Sequence, residues 1–370
     1  MTEVRTQPDA GLATIARFEI QMRRCLDPAG EPVCELPGLA SDKDLLGTIY
    51  RHMVVTRTFD EKAIALQRTG RLGTYASVLG QEAVGVGVAA AMRETDILLP
   101  SFREYGAQFY RGVTIEELFM FWGGDERGND FAVPRRDFPI CIPVASHLPH
   151  AAGAALALKL GGTDDAAVAM AGDGATSKGD FYEALNIAGI WGLPVLFVII
   201  NNGWAISVPR SAQTAAQSLA QKAIAAGIHG EQVDGNDVIA VVAATSAALQ
   251  SIRAGHGPSL IEALTYRLGD HTTADDARRY RNDEEVSRHW KEDPVMRLRS
   301  FMTKRGMWSK DDEQTMLEEA RSLVEGGAEA YLSRPPQPAS SIYDYLFETL
   351  PLSIREQRDL LIRQEADKDG

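Results

Sequence analysis

Residues Ala166–Ser207 read AAVAMAGDGATSKGDFYEALNIAGIWGLPVLFVIINNGWAIS, and this stretch decides the fold. An apolar run from Ala166 to Ala171 ends on Gly172-Asp173-Gly174; a helical segment follows, then a second apolar run, Val195 to Ile200, ends on Asn201-Asn202. Runs this continuous suit strands covered on both faces, as in a parallel sheet. In a right-handed βαβ unit both strands deliver their carboxyl ends to one edge, so Asp173 and Asn202 are expected to meet there. A carboxylate, a carboxamide oxygen and a nearby carbonyl form a hard oxygen half-shell, suited to Mg²⁺ completed by phosphate oxygens. Gly172 and Gly174 leave room for a diphosphate against the backbone N–H groups of the turn.

Asp-Gly alone is a common turn dipeptide and carries little weight. The order strand, GDG, helix, strand, NN is the informative unit. A dinucleotide fingerprint fits poorly, because Gly172, Gly174 and Gly179 misplace the third glycine and no acidic residue ends the second strand. No G-x-x-x-x-G-K-[ST] run is present, which argues against a P-loop.

Outward from this unit, helix and strand patterns alternate from His147 to about Arg267, predicting a doubly wound parallel sheet with helices on both faces. The pattern includes a helix near Gln217–Ala226 and a long helical run beginning at Val238. Upstream, apolar spacing predicts a helix over 42–67 capped by Asp42, and EAVGVGVAAAM reads as a close-packing helix. Residues 1–40 read as an N-terminal arm, 41–300 as the α/β domain and 301–370 as a helical C-terminal extension. The polar segment 268–281 has too few apolar anchors to offset ordering entropy, so it is expected to be mobile until a ligand orders it.

The chain has 370 residues, 45% of them apolar, and a net charge of −13. That charge disfavours nucleic acid and anionic membranes as partners. Cys25, Cys34 and Cys141 show no C-x-x-C spacing and read as reduced thiols. With no apolar leader and no long apolar span, a cytoplasmic protein is expected. His147 and His150, spaced i, i+3, lack an evident third ligand and read as packing residues; Glu82 reads as a helix-start carboxylate.

With GDG…NN, PSFREYGA and YRLGDHTTADDARRYR in place, the chain resembles the alpha subunit of the thiamine-diphosphate-dependent first component of 2-oxo acid dehydrogenase complexes. The resemblance covers about Asp42 to Glu365. It implies the thiamine-diphosphate-binding fold, with thiamine diphosphate and Mg²⁺ as cofactors. It also implies oxidative decarboxylation of a small 2-oxo acid, with transfer of the acyl group to a lipoyl-bearing acyltransferase core. The glutamate that activates the cofactor is supplied in this family by a separate beta subunit, so an α2β2 heterotetramer is implied and the chain alone is expected to be catalytically incomplete.

At matching positions, the resemblance implies Mg²⁺ ligation by the side chains of Asp173 and Asn202 and the carbonyl of Trp204. Gly174 and Ala175 would hold the diphosphate by backbone N–H groups, Arg103 of the Phe102-Arg103 pair would contact it, and Ser146 and Leu148 would hold the aminopyrimidine through main-chain atoms. His271 would be the catalytic loop histidine. Phe102 departs from the usual tyrosine, and Ile200 stands where some relatives have a diphosphate-binding arginine. The run QTAAQSLAQKAIAAGIHGEQVDGND is most similar to bacterial pyruvate dehydrogenase alpha subunits, whereas DPVMRLRSF is also similar to branched-chain enzymes. Thr74, and the absence of a histidine from VPRRDF, keep both substrates open, with pyruvate favoured. Half of a split transketolase would need a histidine-rich substrate set that is not found, and intact Asp173 and Asn202 speak against a cofactor-binding or assembly protein that keeps the fold without turnover.

Overall fold

The computed structural model describes residues 13–344 and 346–367, so residues 1–12 of the expected arm and residues 345 and 368–370 of the expected extension lie outside the described residues. Its strands are β1 Met22–Arg23, β2 Ile97–Leu99, β3 Ala167–Gly172, β4 Val195–Asn201, β5 Trp204–Ala205, β6 Val208–Pro209, β7 His229–Asp234 and β8 Ser259–Leu264. Six of them form one sheet in the order β1-β7-β8-β4-β3-β2, parallel throughout, while β5 and β6 make a separate antiparallel hairpin.

The helices before β7 are α1 Lys43–Arg68, α2 Glu82–Ala91, α3 Tyr105–Tyr110, α4 Ile115–Trp122, α5 His147–Gly161, α6 Gly179–Trp191, α7 Arg210–Gln213 and α8 Lys222–Ala225. Helix α9 Val238–Arg253 joins β7 to β8, and α10 Asp283–His289, α11 Pro294–Lys304, α12 Lys310–Ser333, α13 Ser341–Asp344 and α14 Leu352–Ala366 complete the chain.

Alternation along β3 and β4 explains why both faces are covered. Ala167, Ala169, Ala171, Phe197 and Ile199 pack with α5 and α6 on one side; Val168, Met170, Leu196, Val198 and Ile200 pack with α1, α2 and α9 on the other. Asp42 caps α1 through Leu45 N at 3.0 Å, as its position before the apolar pattern predicts. Met316, Ala320, Val324 and Ala328 recur at helical spacing and are the buried residues of α12, which packs against α1 and α4.

Two elements differ from the sequence reading. Strand β7 was not anticipated, because HGEQVD is polar; it becomes a strand by pairing with β8, and Met22–Arg23 of the arm pairs on its other side. The helix expected near 217–226 shrinks to the four residues of α8, ended by Gly227 at φ +67°.

Candidate functional site

β3 and β4 run in register, Gly172 beside Ile200, so the chain leaves both strands at one edge. Beyond β3 the backbone tightens into a 3-10 turn, Asp173–Ser177; β4 ends on Asn201, and the chain passes through Asn202 to Gly203, whose φ of +85° lets it reverse into β5. Side-chain alternation separates the two asparagines. Asn201 donates to Glu262 Oε1 of β8 at 2.7 Å, whereas Asn202 lines a cavity shared with Asp173. The Asn202 amide donates to Gln81 Oε1 at 2.9 Å, which turns its oxygen toward Trp204 N at 3.2 Å.

The cavity has a volume of about 350 Å³ and is lined by Gln81, Phe102, Arg103, Val144, Ala145, His147, Asp173, Gly174, Ala175, Asn202, Trp204, Arg267 and His271, among others. Asp173 is 1% exposed, and burial pushes its carboxyl above the ordinary aspartate range; the amide of Gln213, donating to Oδ2 at 2.5 Å, offsets part of that. Gly174 must be glycine for a spatial reason, because a Cβ there would lie 2.8 Å from Ala205 Cβ.

Two buried arginines line the same cavity, and neither makes a salt bridge with a carboxylate among the described residues. Arg103 donates to the carbonyls of Ser77 and His271 and to His271 Nδ1 at 2.9 Å. Arg267 is completely buried and donates to the carbonyls of Ile206 at 2.8 Å and Trp204 at 3.4 Å, to Tyr280 Oη at 2.8 Å and to His271 Nδ1 at 3.3 Å. None of these acceptors is a carboxylate, and the Nε of Arg267 has no partner among the described residues. Burial lowers both guanidinium pKa values, that of Arg267 to about 10. Burying a cation costs several kcal/mol of desolvation, and Asp60, Glu104 and Asp275 offset it only through space, so two guanidinium groups lining one cavity suit an anion.

His271 is held between these arginines. Its Nδ1 accepts from both, so the ring proton resides on Nε2, and burial together with Arg103 and Arg267 pushes its pKa down to about 4. We expect the ring of the cofactor-free chain to stay neutral well below pH 6, with stability at this site lost as pH falls from the ordinary value of 6.5 toward 4. A histidine NMR titration checks this; a ring titrating at its ordinary value would contradict the arrangement.

The loop carrying His271 is held by polar contacts. Arg281 donates to the carbonyls of Arg267, Leu268 and Gly269, Asp275 accepts from His271 N and Tyr280 Oη, and Thr273 exchanges bonds with Tyr75 at 2.8 and 3.0 Å. Behind Arg103, the buried Asp60 accepts from Tyr75 Oη, Ser77 Oγ and Val78 N, fixing the turn whose Ser77 carbonyl receives the arginine.

Of the residues singled out in the sequence, Phe102, Arg103, Asp173, Gly174, Ala175, Asn202, Trp204 and His271 share this cavity. Ser146 and Leu148 do not. Leu148 is buried in the core, its N–H bonded to Ala145 O; Ser146 N–H is bonded to Pro143 O, and its carbonyl accepts from His150. Val144 and Ala145, the latter at φ +68°, present the chain to the cavity in their place. His147 and His150 do not converge on a metal: His147 donates from Nε2 to Met170 O at 2.8 Å. Glu82 starts α2 as expected and also pairs with Arg57 at 2.8 Å.

The sequence reading missed Gln81, Gln213 and Arg267. Arg267 carries a usable signal, a cation three residues past a buried strand and four residues before the loop histidine.

The residues fit a metal-bound diphosphate. One carboxylate, one carboxamide and two guanidinium groups without salt bridges among the described residues line one cavity, with the Trp204 backbone beside them. No group of three or more His, Cys, Asp or Glu able to hold a metal occurs among the described residues, so a cation here would depend on amide, carbonyl and ligand oxygens.

A family profile described as Dehydrogenase E1 component matches residues 50–339. The chain is 39% identical over 356 residues, 95% of each chain, to a Staphylococcus aureus (strain Mu50 / ATCC 700699) protein named pyruvate dehydrogenase E1 component subunit alpha. It is 38% identical over 375 residues, covering all of both chains, to a Mycobacterium tuberculosis (strain ATCC 25618 / H37Rv) protein named 3-methyl-2-oxobutanoate dehydrogenase subunit alpha.

Proposed function

The chain belongs to the dehydrogenase E1 component family, and on that premise we propose that it is the alpha subunit of a 2-oxo acid dehydrogenase that uses thiamine diphosphate and Mg²⁺. The observation that carries the site reading is that Asp173 and Asn202, at adjacent strand ends, share a cavity with two buried arginines that make no salt bridge among the described residues.

In this reading Asp173, Asn202 and the Trp204 carbonyl hold the cation, while Gly174 and Ala175 offer backbone N–H groups to the diphosphate. Arg103 and Arg267 supply the charge that binds it. Thiamine diphosphate supplies the electron sink needed to remove CO₂ from a 2-oxo acid. The chain would bind and orient that group, and Phe102, Ala145 and Ala171 give the cavity an apolar lining beside it. His271 Nδ1 accepts from both arginines here; were they to bind phosphate oxygens instead, that nitrogen would be available to hold or move a proton. The 268–281 segment already has polar anchors in Arg281, Asp275 and Thr273, and a bound cofactor is expected to protect it further against proteolysis.

A beta subunit completes the centre in this reading. Support comes from helix α6, which follows directly on the diphosphate turn and leaves Tyr182, Ile187, Ile190 and Trp191 exposed; Ile190 is 70% and Trp191 52% accessible. An apolar face of this kind is suited to being covered by another chain. The acyl group then passes to a lipoyl-bearing core.

Pyruvate is the favoured substrate, on the similarity of the 213–237 run to bacterial pyruvate enzymes, with branched-chain 2-oxo acids second. The two relatives, at 39% and 38% identity, do not separate these readings. The test is turnover of pyruvate, 2-oxobutanoate and 2-oxoisovalerate by the chain alone and by the chain with its beta partner, read as decarboxylation with an artificial electron acceptor. The expected result is activity only with the partner and highest kcat/KM on pyruvate. Turnover by the chain alone would overturn the shared-centre reading, and a preference for 2-oxoisovalerate would overturn the substrate assignment.

A further inference from the structure

Gln213, the last residue of the short helix α7, lies outside the cavity lining yet touches its central carboxylate. Its amide Nε2 donates to Asp173 Oδ2 at 2.5 Å and to the carbonyl of Val208 at 3.2 Å. Because an ionised carboxylate only accepts, the amide has one workable orientation, N–H₂ toward Asp173. That orientation has a cost. Gln213 Oε1 is buried with no partner among the described residues, and an unmet buried acceptor is destabilising. A structure that tolerates this cost at one end of an amide has a demand on the other end.

The demand concerns which face Asp173 presents. Asp173 lines the cavity and Gln213 does not, so the contact occupies the carboxylate from behind and leaves its cavity side for a ligand. The segment between them has a telling course. It leaves β4 through Asn202 and Trp204, turns through the β5–β6 hairpin, and is braced by Arg210, whose N–H donates to Gly203 O at 2.8 Å and whose guanidinium donates to Thr214 O and Ala216 O. It ends with Gln213 against the carboxylate of the neighbouring strand. One stretch of chain thus supplies two of the three metal-facing oxygens and clamps the third.

We propose that Gln213 is a positioning residue for the metal site, holding Asp173 Oδ2 so that the carboxylate meets the cation in one orientation and linking the two strand ends into one unit. The proposal rests on the metal-diphosphate reading above and adds to it a residue outside the cavity. Partners that orient a ligating carboxylate are worth about 10- to 100-fold in metal affinity when removed.

The test uses the chain with its beta partner and Mn²⁺ as the probe, with binding followed by the electron paramagnetic resonance signal of free Mn²⁺ at saturating thiamine diphosphate. Gln213→Leu is expected to weaken Mn²⁺ binding about 10- to 100-fold, raise the metal concentration for half-maximal rate to match, and leave kcat at saturating metal within about twofold. Its metal-free melting temperature should remain that of the parent, which separates positioning from general loss of structure. Gln213→Met, of similar length and also lacking the donor, replaces the leucine variant should the latter not fold. Unchanged Mn²⁺ affinity in the folded variant overturns the proposal. Failure of the unsubstituted assembly to bind Mn²⁺ with thiamine diphosphate would instead overturn the metal site itself.

Discussion

Replacing Asp173 by asparagine is expected to abolish Mg²⁺-dependent binding of thiamine diphosphate while making the cofactor-free chain more resistant to heat. The two effects share one cause. Asp173 is buried, and burial raises its pKa, so the folded chain carries a carboxylate that would be better solvated in the unfolded state. The linkage sign follows: a folded-state pKa above the unfolded value means the folded chain holds the proton more tightly, so this group's contribution to stability diminishes as pH rises through the folded value. Asparagine removes that penalty and keeps the side-chain volume. It also removes the only charged oxygen among the three metal-facing groups, and since outer partners of metal ligands are worth about 10- to 100-fold in affinity, loss of the ligand itself should exceed about 100-fold. Calorimetric titration of the cofactor with Mg²⁺, beside a melting curve without it, checks both parts. An asparagine variant that binds as tightly as the parent, or melts well below it, would contradict this account of the residue.

The second large effect belongs to the paired arginines. Arg103→Met and Arg267→Met should each weaken cofactor binding by at least about 30-fold, the equivalent of about 2 kcal/mol at the low end for truncating one partner of a buried charge pair. Arg267 is the sharper case. It is completely buried, its bonds go to two carbonyls, a phenol and an imidazole, and its pKa is lowered to about 10 by burial and by Arg103. Such a group gains most when an anion arrives. The double variant should lose less than the sum of the singles, because the guanidiniums share one acceptor on His271 and repel one another. Both variants should also lose the slowing of proteolysis at 268–281 that the cofactor is expected to confer. Cofactor dissociation constants within threefold of the parent would show that the arginines serve the loop and not the diphosphate.

How far the sequence carried this reading depends on the kind of signal. The sheet was legible where burial on both faces forces continuous apolar runs, as in Ala167–Gly172 and Val195–Asn201. It was not legible at His229–Asp234, where Glu231, Gln232 and Asp234 are polar and the strand exists because β8 offers a free edge. Asp173 and Asn202 could be paired from sequence because strand ends in a βαβ unit have a fixed destination. Gln213 could not, since its approach to Asp173 follows from the hairpin and from α7, which no local pattern announces. Ser146 and Leu148 stand at the start of α5, their N–H groups bonded to Pro143 O and Ala145 O, and the chain that lines the cavity here is Val144 and Ala145. The polar loop, read from composition as lacking anchors, has them in Arg281, Asp275 and Thr273, which apolar bookkeeping does not count.

The central claim is that Asp173 and Asn202 grip one divalent cation and, through it, a diphosphate. Calorimetric titration of thiamine diphosphate into the assembled α and β chains, with Mg²⁺ and again with a chelator, tests it most directly. Binding that requires the metal, and is lost in Asn202→Ala as in Asp173→Asn, is the predicted result. Equal binding with and without the metal, or undiminished binding in both variants, would contradict it.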